Sequence, residues 1–275
     1  MWRPKHALVI VTFALVSCSS PVAPASTPTH GAVTLRLYAT TAAIPLLNDL
    51  TSHYTETHPN VSFETATGNF QTMMAQLNQT KDGYLLSNHL LDDNSMQAWP
   101  IGQDGIAVIT HPQNSVDNLT SEQLRSIYLG HVARWSEVGG TDAPLTILSR
   151  EDGSSTRAEF EKLLLGERLT TQSAQIAPSS SAMVSSVAAI PNSIGYVSMS
   201  YLDASVKALG IDGIRPTSDT VYDNTYPLRS NLYIMGVNEP ENVYRDFIGW
   251  IQAPEGQRIV GLHYAPLPTP LHSGT

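Results

Sequence analysis

The residues Leu148-Ser149-Arg150-Glu151-Asp152-Gly153-Ser154-Ser155-Thr156-Arg157 carry a strand into a helix. The apolar run before them, Pro144 to Leu148, reads as a strand. Ala158 to Leu165 after them places apolar residues at helical spacing. A polar, glycine-containing turn therefore joins the two. The new helix starts with free backbone N–H groups and the positive end of a dipole. Ser154, Ser155 and Thr156 add hydroxyls there, and Arg150 adds a planar, permanently charged fork suited to a tetrahedral oxyanion. That is the chemistry of an anion seat. Ser and Asp before a helix are also ordinary caps, and an arginine in a loop can be a surface residue, so the pattern alone leaves both uses open.

The stretch closely resembles the Ser-Arg-Glu-Asp-Gly-Ser-Gly-Thr-Arg signature of the phosphate-binding proteins of bacterial ABC transporters, with Ser155 in place of the second glycine. Upstream, Asp104-Gly105-Ile106-Ala107-Val108-Ile109 is a continuous apolar run expected to be buried on both faces. It resembles that family's hinge strand, where the chain crosses into a second lobe. Leu129-Gly130 and Trp135 to Gly140 also fit the family and read as structure, with Trp135 a core anchor. Thr120 and Gln123 have capping-box spacing. Downstream, Ala182 to Ala189 reads as a helix, and Ser193 to Ser198 matches the family's Ile-Gly-Tyr-Val strand. Tyr226 to Ile234 resembles the return crossing, and Pro240 to Trp250 and Pro254 to Val260 read as two closing helices.

Two further strand–loop–helix junctions precede the signature. Val33 to Tyr38 alternates as a strand does, and Ile44 to Tyr54 follows with helical spacing and Pro45 near its first turn. Thr40 and Thr41 lie between them and fall on the Ser and Thr of the family's Gly-Ser-Thr-Thr opening, while Ala39 replaces the glycine. Val61 to Glu64 is a second strand, and Thr67-Gly68-Asn69-Phe70 leads into a helix. The family carries a phosphate-contacting serine here. Only Gly68 of its glycine run is kept, so Thr67 is the candidate and Asn69 its rival. Asn88, after Tyr84 to Ser87, falls where some members place an aspartate that accepts the proton of bound phosphate. It can offer a carbonyl oxygen but no charge. His89 beside it reads as a loop residue.

The chain opens on Arg3, Lys5 and His6, followed by an apolar run, Ala7 to Val16, too short to span a bilayer. Leu15-Val16-Ser17-Cys18 looks like a bacterial lipobox, which implies an acylated Cys18, a signal peptide over residues 1–18 and an extracytoplasmic protein lipid-anchored to the cell membrane. Cys18 is the one cysteine in the sequence, so an internal disulfide is impossible and the core must carry stability. Residues 19–31, rich in Ser, Pro, Ala and Thr, read as a flexible tether.

Charge narrows the partners. The formal net charge is −9, from 15 basic and 24 acidic residues. Without Arg3 and Lys5 it is −11, 13 basic residues against 24 acidic ones. This argues against nucleic acid or an anionic membrane surface as partner, but not against a small anion held by local dipoles. No histidine or cysteine group stands at metal-ligand spacing, and no cofactor motif appears.

Strands alternate with helices, so the class is α/β, with ligands expected beyond the carboxyl ends of strands. The resemblance implies a two-lobed periplasmic binding protein-like fold of type II with two hinge crossovers and a ligand cleft. Residues 32–104 and 227–270 would form one lobe and 105–226 the other. It implies capture of inorganic phosphate for an ABC permease by a monomer, with Thr40, Thr41, Thr67, Asn88, Arg150, Ser154, Ser155 and Thr156 as ligand contacts. Alternatives are a binder or sensor of another tetrahedral oxyanion, such as sulfate or molybdate, and a phosphoester hydrolase. The hydrolase lacks support: there is no Gly-x-Ser-x-Gly elbow and no recognisable base for a serine.

Overall fold

Strand β1 (Val33–Thr40) is followed by a short 3-10 turn and helix α1 (Ile44–Thr57). β2 (Val61–Gly68), α2 (Phe70–Thr80) and β3 (Tyr84–Ser87) complete the first half of a sheet. These elements come from a computed structural model that describes residues 32–91 and 95–268. The expected signal peptide with Cys18, the expected tether and residues 269–275 lie outside the described residues. The long strand β4 (Gln97–Thr110) then enters the second half. This contains β5 (Asn118–Leu119), α3 (Ser121–Tyr128), β6 (Thr146–Arg150), α4 (Ser155–Phe160), β7 (Gln175–Ala177), α5 (Ser180–Ala189), β8 (Ser193–Ser198), β9 (Lys207–Ala208), β10 (Gly210–Ile211) and α6 (Ser218–Tyr222). β11 (Arg229–Gly236), α7 (Asn242–Gln252) and α8 (Pro254–Val260) return to the first half.

The pairing explains the two lobes. One lobe orders its strands β2-β1-β3-β11-β4, with β1, β2 and β3 parallel and β11 antiparallel to its neighbours. The other runs β4-β8-β6-β7. β4 belongs to both: Gln97 to Gly105 pairs with β11, and Ile106 to Thr110 pairs with β8. The change of partner falls at Gly105, where an added Cβ would lie 2.9 Å from Val221 and 3.1 Å from the Met199 sulfur. Only glycine lets the chain cross there without displacing neighbours. The return chain is tied to the same point: the Ile106 N–H donates to Leu228 O (2.7 Å), and the Tyr226 hydroxyl donates to Ile106 O (2.9 Å).

Both halves bury apolar faces against the sheet. Leu46, Leu47, Leu50 and Tyr54 of α1 and Phe247, Ile248 and Ile251 of α7 are buried, as their helical spacing requires. Met73, Met74 and Leu77 of α2 pack with Tyr38, Leu85 and Met235. Trp135 is buried and donates from Nε1 to Asn192 O (2.7 Å), and the Thr120–Gln123 capping box is formed in both directions. From Ala32 onward the described chain is one compact unit. Element positions follow the sequence reading closely. The strand before the signature runs further than expected, through Arg150, and the helix after it starts at Ser155.

Candidate functional site

The site begins with how Arg150 is held. Hydrophobic support comes from three rings: Phe160 of α4 stacks on Tyr196 of β8 at 3.9 Å, and Tyr128 meets Phe160 edge-on at 4.7 Å. This packing fixes the Tyr196 hydroxyl, which bonds the Ser149 hydroxyl (2.9 Å) and accepts from the Arg150 N–H (3.3 Å). Burial pushes the Tyr196 phenol up to about 12, so it stays a neutral donor and acceptor. The end of β6 is thereby locked against β8.

The Arg150 side chain is fully buried. Its Nε donates to Ala177 O (3.2 Å) and to Glu151 Oε2 (2.8 Å), and Nη2 donates to Glu151 Oε1 (2.9 Å). Nη1 reaches the Ser180 hydroxyl (3.2 Å), and Nη2 reaches the Thr41 hydroxyl (3.0 Å). The guanidinium has five N–H bonds, and among the described residues one on Nη1 has no acceptor. The carboxylate of Glu151 balances the charge that burial would otherwise penalise. Arg150 and Thr41 lie on different lobes, so the charge spans the cleft.

The turn after Arg150 shapes the seat. Gly153 has φ +81°, and a Cβ there would meet the Gln71 side chain at 2.8 Å; its carbonyl accepts from the Gln71 N–H across the cleft at 3.2 Å. Ser154 is the N-cap, its hydroxyl accepting from the Arg157 N–H (3.3 Å). The N–H groups of Ser155 and Thr156 lie in the first turn, where the helix supplies no acceptor. Ser155 needs no glycine conformation, since it is an ordinary helical residue. Arg157 braces the loop from behind: it donates to Asp152 (2.6 Å), to Glu161 (3.0 Å) and to Arg150 O (3.1 Å).

Buried polar atoms without hydrogen-bond partners mark the rest of the site. They include Thr40 Oγ1, both amide atoms of Asn88, Asp104 Oδ2 and Thr156 Oγ1. Such atoms are expensive to leave bare, and together with a buried arginine they fit an anion that supplies both donors and acceptors. The Asp104 carboxyl is wholly buried, and Oδ1 accepts from the Ser198 hydroxyl at 2.8 Å. Burial pushes it up to about 7, against the opposing pull of the Ser198 hydroxyl and the Met199 N–H. The Asn88 amide lies alongside, close enough to favour the ionised form but outside hydrogen-bond geometry. Tyr201 joins the two ends: it donates to Thr41 O (2.6 Å) and feels the charges of both Arg150 and Asp104.

The candidates therefore separate. Arg150 and Thr41 meet directly, and Thr40, Asn88, Ser154, Ser155 and Thr156 are buried, with Thr41 half-buried. The structure does not bring in Thr67: it sits near the end of β2 with an exposed side chain. Asn69 is taken up as the α2 N-cap, accepting from the Thr72 N–H at 2.8 Å. Asp152 carries a carboxylate in the signature loop, but its side chain is 95 % exposed and faces Arg157. Asp104 was absent from the sequence candidates. Its signal was present, an acid opening a fully buried strand, but it read as hinge structure.

Among the described residues no group of three or more His, Cys, Asp or Glu could hold a metal ion, and no helix is long and apolar enough to cross a membrane. Comparison with known proteins matches residues 24–255 to the PBP superfamily domain. The chain is 25% identical to the phosphate-binding protein PstS of Bacillus subtilis over 238 residues, covering 82% of this chain and 77% of that one. It is similar in structure to a putative phosphate ABC transporter substrate-binding protein from Clostridium perfringens solved with bound phosphate. There the TM-score is 0.81 and the identity 30%, over 86% of this chain and all of that one (100%). An ABC-type phosphate transport receptor from Vibrio cholerae shares the fold, with TM-score 0.70, 24% identity and coverage of 84% and 99%. With a buried arginine and bare hydroxyls between two lobes, and a family match over most of its length, the chain belongs to the PBP superfamily.

Proposed function

We propose that this protein captures inorganic phosphate outside the cytoplasm for an ABC importer, closing its two lobes on the anion without turning it over. The observation that carries the reading is the buried Arg150, tied to Thr41 across the cleft, together with the bare buried polar atoms of Thr40, Asn88, Asp104 and Thr156. Arg150, the hydroxyls and the first-turn N–H groups supply donors. Asp104, raised to about 7 by burial, supplies the acceptor in its ionised form. Phosphate near neutral pH carries a proton and sulfate does not, so a buried carboxylate oxygen attracts the first and repels the second. The names of the similar Bacillus and Clostridium proteins point the same way.

Binding without turnover is favoured by where the possible nucleophile is spent. The Ser154 hydroxyl caps its helix, and the His89 imidazole is engaged by Glu159. A ligand drives closure only by binding the closed form more tightly, and the contacts shared between lobes supply that difference. A permease then reads the lobe positions. A lipid anchor at Cys18, release of a signal peptide and a monomeric state complete the proposal.

Calorimetric titration with phosphate, sulfate, molybdate and arsenate tests it. Phosphate is expected to bind best. A preference for sulfate or molybdate would reassign the ligand, and sustained hydrolysis of a chromogenic phosphoester, lost in Ser154→Ala, would make it an enzyme. The anchor is tested by detergent partitioning of the native protein with and without Cys18→Ser. An aqueous-phase protein with no acyl mass would remove it.

A further inference from the structure

A side-chain contact between an imidazole and a carboxylate joins the lobes outside the anion seat. His89 Nδ1 and Glu159 Oε1 are 2.7 Å apart, both largely withdrawn from water, with side chains 16% and 13% exposed. His89 comes from the loop after β3 and Glu159 from α4, so the contact joins the two sheets. The imidazole is fixed from its own lobe: the Phe70 ring meets it edge-on at 4.9 Å, and its backbone N–H donates to the Ser87 hydroxyl at 3.0 Å. Glu159 is fixed by the helix that begins at the anion seat, one turn beyond Ser155. His89 directly follows Asn88. Each member is thus rigidly coupled to a seat residue, yet neither is among the atoms left for the anion. A recess of about 260 Å³, lined by Asn88, Glu159 and Arg229, adjoins the pair.

We infer that the His89–Glu159 contact is a latch that stabilises the closed form and so sets how tightly and how long the anion is held, without touching it. The inference rests on the cleft-closing function proposed above. A contact made only when the lobes meet shifts the open–closed equilibrium by its own free energy, and the ligand's apparent affinity changes by the same factor. The Nδ1–H donates to the carboxylate whichever charge the ring carries, and a half-buried pair of this kind is shielded from solvent screening. Other ties between the lobes include Thr41 to Arg150 and to Ser180, Tyr201 to Thr41 O, Gln71 to Gly153 and Ser218 to Tyr264 O, and of these the one that carries a charge, from Arg150, belongs to the seat. The latch is a pair that can be removed while the seat is left intact.

The test is phosphate binding and release by native protein, Glu159→Ala, His89→Ala and the double variant, with sulfate competition on each. Each single change is expected to weaken phosphate binding roughly five- to thirty-fold, mostly through faster release, with the phosphate-to-sulfate ratio unchanged. The double variant should lose no more than the worse single one, because both break the same contact. Glu159→Gln, which keeps shape and an acceptor oxygen, should fall between, and guards against misfolding of the alanine variant. Affinity within two-fold of native for both alanine variants, additive losses, or an altered anion ratio would each overturn the latch. Ligand-free interlobe distance, read from a dye pair with one dye on each lobe, separates the two readings. It should lengthen in Glu159→Ala even if the native protein binds a different anion, and no change in it would also overturn the latch.

Discussion

The two walls of the cleft are built on opposite plans. On the β6–α4 side the charges are wired before a ligand arrives, although the Thr156 hydroxyl is bare: Arg150 has acceptors on Glu151, Ala177, Ser180 and Thr41, Ser154 caps its helix, and Arg157 clamps the loop. On the β1, β3 and β4 side, Thr40, Asn88 and Asp104 are buried with bare polar atoms. The difference teaches a division of labour. A buried cation cannot wait for its anion, because an uncompensated charge is far more destabilising than a bare hydroxyl or amide. The charge therefore sits where the scaffold already neutralises it. The groups that read the ligand can be left open, since their penalty is small enough for the fold to carry.

Breaking the wired wall has the largest expected effect. Arg150→Ala should weaken phosphate binding by about 2 kcal/mol or more, the order of a buried charge-assisted contact, by calorimetric titration. Arg150→Lys should rescue only part of it, because a point charge cannot reach Glu151, Ser180 and Thr41 together. Unchanged affinity in Arg150→Ala would remove this residue from the site.

Asp104→Asn comes next and acts on selectivity. The phosphate-to-sulfate ratio should drop about ten-fold, near 1.4 kcal/mol, because the acceptor of the ligand's proton is lost. The same change has a signature without ligand. Asp104 is raised from 3.8 to about 7 by burial, so the fold favours its protonated form. That stabilisation is fully present below pH 3.8 and is lost as pH rises through about 7. Its loss runs at up to about 1.4 kcal/mol per pH unit within that window. Denaturant melts of ligand-free protein across the window should show this slope, and Asp104→Asn should flatten it.

Asn88→Asp sharpens the open wall. Asn88 falls where the resembling family places its carboxylate, so the sequence alone predicts better rejection of sulfate. The structure changes that expectation, because Asp104 already occupies the neighbourhood. Two carboxyls side by side hold a proton between them and resist joint ionisation. Phosphate affinity should fall a few-fold, and more at pH 8 than at pH 6. Competition titrations at both values decide it, and a clear gain in selectivity would show that Asp104 is not the acceptor. The smallest effect is expected for Thr67→Ala. This side chain is exposed, so affinity and stability should stay within about 0.5 kcal/mol of native.

Much of this protein is determined locally. The run from Leu148 to Arg157 specifies a strand, a turn needing a left-handed glycine, a capped helix start and a cation, because each depends on neighbours within a few residues. The buried strand from Asp104 to Ile109 is equally plain, since apolar runs bury themselves. What tertiary structure alone decided is which polar groups lose water together. Asn88 directly follows β3 and Asp104 stands on the next strand, and the pairing of β3 and β4 with β11 brings them side by side. Tertiary packing likewise leaves Thr67 and Asp152 exposed and sets His89 against Glu159. Burial of a polar atom is a property of everything packed around it, and no window of sequence contains that.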